Sequence, residues 1–103
     1  MATLDILMAQ LNTRVGDFEG NADRVLAVAR RAVAEKREPV IVFPELTLSG
    51  YPPEDLLLRP SLEGRVQRAL GRLRRELPAE AVVVLGYPRR VDGRLYNMAG
   101  VLR

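Results

Sequence analysis

The chain has no cysteine and no histidine, and its only lysine is Lys36. Without cysteine there are no disulfides, no thiolate metal sites and no thiol nucleophile of its own. Without histidine there is no Ser-His-Asp triad, no His-based zinc site and no ordinary general base near neutral pH. Any chemistry must therefore use carboxylates, Lys36, tyrosine, serine or backbone groups, and Lys36 reads as a solvated residue near a negative helix C-terminus. Tryptophan is absent and aromatics are few. No apolar run approaches the ~20 residues of a membrane span. The opening MATLDILMAQL carries Asp5 early and no basic leader, so it is not expected to be a signal peptide, and a cytoplasmic location follows as the default.

What is present is a chain of 103 residues with a net charge of +3, long enough for one domain with a thin margin of stability. The positive charge is almost all arginine. Arg65, Arg68, Arg72 and Arg75 fall in EGRVQRALGRLRREL among apolar positions, with Glu63, Glu76 and Glu80 close by and no interleaved aromatics. That pattern predicts a solvated amphipathic face and no nucleic-acid partner.

TLDILMAQL predicts a strand and TRVGDFEG a loop, with Asn21 as the N-cap of a first helix. Ala22, Val25, Leu26, Ala29, Ala32 and Val33 give that helix one apolar stripe, and Pro39 ends it. PVIVF predicts a short strand. Ser61 is expected to cap a second helix running to about Leu77, with Leu62, Val66, Ala69, Leu70 and Leu73 on one side. AVVVLGY predicts another strand, and Asp92-Gly93 a primed turn into a returning strand, LYNMAGVL. The order β-α-β-α-β-β predicts an α/β layer with parallel early pairs. Because the strands are apolar nearly throughout, both sheet faces are expected to be buried. Two helices on one face would leave the other open, so a homo-oligomer or a continuing polypeptide is expected to cover it.

The stretch VIVFPELTLSGYPPEDLLLR stands apart. Glu45 falls at the carboxyl end of a predicted parallel strand, where α/β sheets put their sites. Pro44 stops the strand and restricts the direction of Glu45. Between Phe43 and Leu46 a carboxylate is expected to be partly desolvated and suited to act as a base, although capping of nearby loop N–H groups accounts for it equally well.

FPELTLSGY resembles the glutamate-bearing motif of the nitrilase (carbon-nitrogen hydrolase) superfamily. With AQLNTRVGDFEGNADRVL before it, and YPPEDLLLRP and LGYPRRVDGRLYNMAGVLR after it, the chain is similar throughout to the start of the glutaminase domain of glutamine-dependent NAD synthetases. The resemblance implies a four-layer α-β-β-α sandwich of which residues 1–103 form about one αβ layer. It implies a Glu-Lys-Cys triad, with Glu45 matching the glutamate and acting as general base towards the thiol. Tyr51 matches a tyrosine lining the glutamine pocket. Pro52, Pro53, Glu54 and Asp55 are expected to form a rigid loop with structural roles, and Asn97 to be held by loop backbone groups. ATP and Mg²⁺ are implied for the synthetase domain of the parent enzyme, and no cofactor is implied for this chain. The family's Lys and Cys lie beyond the point matched by Arg103. The chain alone is therefore expected to be inactive, the rest of the domain being cut off or encoded separately. Two other readings stand beside this one: an inert, self-associating α/β module, and a fragment of another nitrilase-branch amidase such as a carbamoylase or aliphatic amidase.

Overall fold

The computed structural model describes residues 6–35, 39–51 and 57–103. Asp5, Lys36, Pro52, Pro53, Glu54 and Asp55 lie outside the described residues. The element order is β1 (Ile6–Met8), α1 (Phe18–Glu35), β2 (Val40–Val42), α2 (Leu62–Glu76), β3 (Val82–Val91) and β4 (Arg94–Leu102). This is the predicted β-α-β-α-β-β order. The four strands form one sheet in the order β1-β2-β3-β4. β1 and β2 pair in parallel, as do β2 and β3, while β3 and β4 are antiparallel.

Two successive crossovers of one hand place both helices on the same face of the sheet. Their inward stripes meet Ile41, Val83, Leu85, Tyr87 and Leu102 from the strands. α1 contributes Phe18, Ala22, Val25, Leu26 and Ala29, and α2 contributes Leu62, Val66, Leu70 and Leu73, all buried. Each fully buried leucine or valine is worth about 1.5–3 kcal/mol over its exposed state, so this one seam carries most of the stability. Small alanines on α1 let the helices approach closely. Arg72 of α2 then bridges to Asp23 of α1 and to Glu76 one turn along its own helix.

The turn joining β3 to β4 has positive φ at both central residues, 51° at Asp92 and 77° at Gly93, as a primed turn requires. One helix start and one cap bond differ from expectation. α1 begins at Phe18, because the Asp17 carboxylate accepts the N–H of Gly20 at 3.0 Å and takes the capping role. Asn21 is not a cap: it lies inside the first turn, fully buried. Ser61 does precede α2, but its φ and ψ of −76° and −7° are helical, so its hydroxyl makes no cap bond.

The expectation that both sheet faces are buried also fails within this chain. Cross-strand pairing places Ile6, Val40 and Val82 in one row of the second face, and Met8, Val42, Val84 and Val101 in the next. Met8 is 75% and Val101 61% exposed. No helix among the described residues is long and apolar enough to cross a membrane.

Candidate active site

Glu45 stands where the parallel strands end. The N–H of Phe43 still bonds the carbonyl of Val84, at 2.8 Å, and Pro44 then removes the next donor and the ladder stops. The chain turns sharply from there. Leu46 has φ of 53°, a left-handed conformation that is costly for a leucine. The Thr47 hydroxyl donates back to the Pro44 carbonyl, and the N–H of Gly50 donates to Leu46 at 2.9 Å. These bonds close the turn on itself around Glu45.

Three neighbours grip the turn from outside. The Leu48 N–H donates to the Gly86 carbonyl of β3 at 3.3 Å, and the Ser49 carbonyl accepts the N–H of Gly16 at 2.9 Å. The buried Asn21 amide donates to Leu48 at 2.9 Å and to Arg14 at 2.8 Å, and its oxygen accepts the Arg14 N–H at 2.9 Å. One side chain thus ties α1, the loop before it and the Glu45 turn together. Thr47 and Ser49, also buried, spend their hydroxyls inside the turn. They are structural polar groups, not reactive ones.

Glu45 itself is exposed. The expected desolvation by Phe43 and Leu46 does not occur, because both of those side chains are buried beneath the turn while the carboxylate faces out. Among the described residues no cation lies within ion-pair distance of Glu45. Tyr51 leaves the same turn 67% exposed. The sequence-predicted pair therefore lies on one turn beyond the carboxyl end of β2, both residues exposed. Asn97 is exposed on β4 opposite Pro88, and no loop group among the described residues bonds its side chain.

The segment from Leu57 into α2 is clamped. The Arg90 guanidinium donates to the carbonyls of Leu57 and, at 3.5 Å, Arg59. Glu63, at the start of α2, accepts the Arg90 N–H and the Arg89 guanidinium, each at 2.8 Å. Burial alone would raise the Glu63 pKa. The hydrogen bonds from Arg90, Gln67 and Arg89, with the Arg89 charge, outweigh it and hold the group below its usual value. The sequence does not mark these roles of Asn21, Glu63, Gly86 and Arg90. Only Gly86 has a signal, being a glycine inside the predicted strand AVVVLGY.

The arginine face of α2 is separate from this turn. An open groove of about 750 Å³ lies between the helices, bordered by Phe18, Arg65, Arg68, Arg72 and Arg75, and includes neither Glu45 nor Tyr51. Arg65 lies 4.7 Å over the Phe18 ring, and Arg72 is hydrogen-bonded to Asp23 and Glu76, which raises its pKa further. Arg65 and Arg72, half-buried, serve helix packing, whereas Arg68 and Arg75 are exposed as the solvated face predicts.

The family pattern of the carbon-nitrogen hydrolases matches residues 6–103. The glutamine-dependent NAD(+) synthetase of Xylella fastidiosa is 43% identical over 99 residues, which is 96% of this chain and 18% of that protein. The synthetase of Xanthomonas campestris is 42% identical over 101 residues, covering 98% of the chain and 18% of that protein. Among solved structures, the glutamine-dependent NAD+ synthetase of Acinetobacter baumannii superposes with a TM-score of 0.87 at 34% identity, over 95% of this chain and 18% of its own. An amidase from Nesterenkonia sp. shares the fold, with a TM-score of 0.78 at 22% identity, over 95% of this chain and 37% of its own. The chain thus spans less than a fifth of the curated relatives it matches.

Proposed function

Since the chain belongs to the carbon-nitrogen hydrolase family, we propose that it is the first portion of the glutaminase unit of a glutamine-dependent NAD synthetase, with Glu45 as its general base. The observation that carries this reading is the placement of Glu45. It is an exposed carboxylate on a hydrogen-bonded turn at the carboxyl end of the parallel strands, in a chain similar over nearly all its length to such synthetases.

The chemistry follows from what the chain holds and lacks. Glu45 takes the proton of a cysteine thiol, which belongs to polypeptide outside these residues because the chain has no cysteine. The thiolate attacks the side-chain amide carbon of glutamine, the protonated Glu45 returns its proton to the departing nitrogen so that ammonia leaves, and a thioester remains. Glu45, again a carboxylate, then takes a proton from water, which attacks the thioester; the carbon-sulfur bond breaks, glutamate is released, and the proton goes back to the cysteine sulfur. Tyr51, at the other end of the turn, lines the glutamine pocket. Ammonia passes to a synthetase domain that uses ATP and Mg²⁺ to amidate deamido-NAD in the cytoplasm. Mg²⁺ and ATP are assigned to that other domain, as the resemblance to the synthetases implies. The remainder of the glutaminase domain covers the open sheet face.

The test is a chimera in which residues 1–103 replace the matching segment of the Xanthomonas campestris synthetase. NAD formation from glutamine supports the reading. Glu45→Gln is expected to abolish that activity and spare the activity with free ammonia. Loss of both would make Glu45 a structural residue, and retention of both would end its role as base.

A further inference from the structure

We infer that Gly86 is a positioning residue for Glu45: the bare backbone of β3 at this point sets how deeply the Glu45 turn lies on the sheet. The inference rests on the reading of Glu45 as base and adds a second residue to it. Gly86 pairs with Ala99 of β4, and alternation along β3 turns position 86 away from the helices, opposite to its neighbours Leu85 and Tyr87 in the core. That is the side on which the chain crosses after leaving β2.

The crossing is too close for any side chain. A Cβ at position 86 would stand 2.5 Å from the Leu46 nitrogen, 3.0 Å from the Glu45 Cα and 3.1 Å from the Glu45 carbonyl carbon. All three are backbone atoms, and none can rotate aside as a side-chain tip could. Ordinary contact between such atoms needs about 3.5–4.0 Å, so one methyl group must lift the turn by about 1 Å.

The turn has little freedom to absorb that lift. Leu46 already holds a φ of 53°, and Thr47 ties back to Pro44. Leu48 is bonded to the carbonyl of Gly86 itself. The displacement therefore passes to Glu45, whose backbone is the part in contact. A base shifted by about 1 Å against a thiol and a bound amide loses about 10²-fold in rate. The three nearest contacts fall on Glu45 and Leu46 and none on Tyr51 at the other end of the turn, so the loss is expected on kcat more than on KM for glutamine.

Gly100 provides the control. A Cβ there would come 2.7 Å from the Tyr87 hydroxyl oxygen, another tight contact, but with a side chain and on the core side of the sheet. In the chimera, Gly86→Ala is expected to lower kcat with glutamine about 10²-fold, with the ammonia-dependent rate retained. Gly100→Ala is expected to keep the ratio of the two rates near wild type whatever it does to the Tm. Should Gly86→Ala fail to fold, Thr47→Val decides. It removes the bond to Pro44 without adding bulk, and is expected to lower the glutamine-dependent kcat several-fold at constant KM. Full glutamine-dependent kcat in a folded Gly86→Ala, equal losses in Gly86→Ala and Gly100→Ala, or full kcat in Thr47→Val when Gly86→Ala does not fold would each overturn the inference. Glu45→Gln run in parallel separates the two claims. If it retains glutamine-dependent activity the base assignment itself has failed, and if it is inactive while Gly86→Ala is not, only the positioning role has.

Discussion

The side-chain amide of Asn21 donates to the carbonyl of Leu48 at 2.9 Å from a fully buried position in the first turn of α1. The same amide reaches Arg14, and its oxygen accepts from the Arg14 N–H and the Arg24 guanidinium. One residue thus saturates its hydrogen-bonding capacity where three chain segments meet. A carboxylate could not replace it, because two of its partners are carbonyls that need a donor.

Asn21→Ala is accordingly expected to cost about 2–4 kcal/mol, since it leaves the buried Leu48 carbonyl and the part-buried Arg14 carbonyl without this donor. Asn21→Asp should cost at least as much at neutral pH despite its matching shape. Urea unfolding of the three proteins measures this. A loss under about 0.5 kcal/mol for Asn21→Ala, the range of an ordinary surface change, would show that water replaces the amide without penalty.

The Glu63 clasp makes a pH-dependent contribution whose sign is fixed by its depressed pKa. A carboxylate held below its usual 4.5 in the folded state stabilises the fold above that pH. The contribution fades as pH falls from there through the lower folded pKa, because the folded carboxylate then takes up the proton that the unfolded chain has already bound. Glu63→Gln should therefore be less stable than wild type at pH 7, with the gap narrowing at pH 4 and below. Unfolding midpoints of the pair across pH 3–7 test it, and a gap that stays constant would show that Glu63 acts through shape and not charge.

Asp92 gives a sharper backbone test. Its φ of 51° is tolerated by Asp, Asn or Gly and opposed by a β-branched side chain. Asp92→Val is expected to destabilise by about 1–2 kcal/mol, and Asp92→Asn by far less. Equal stabilities would mean that the hairpin turn relaxes to another type.

How far the sequence reveals this molecule depends on the range of the interaction concerned. The stripe from Ala22 to Val33, the strand PVIVF and the Asp92-Gly93 turn are set by neighbours along the chain, and each lies as predicted. The start of α1 was misplaced because Asp17 and Asn21 are equally good capping types, and only the loop path from Arg14 to Gly16 decides between them. The location of Glu45 was legible from Pro44 and the strand before it. Its exposure was not, since that depends on a left-handed Leu46 turning inward. The contact between Gly86 and Glu45 joins residues distant in sequence, and no local pattern marks its partner.

The open sheet face yields the prediction that bears most directly on what surrounds this chain. Val101 is 61% exposed and continues the row of Met8, Val42 and Val84 across the sheet. If that face met water, Val101→Lys would be nearly silent, within about 0.5 kcal/mol. If a second layer of the same domain covers it, the lysine brings an unpaired charge into an apolar interface, at a cost of several kcal/mol. In the chimeric synthetase, Val101→Lys is therefore expected to lower the Tm sharply and remove glutamine-dependent activity, whereas Val101→Ile retains both. An unchanged Tm in Val101→Lys would place this face at the surface and end its reading as the interior of a larger domain.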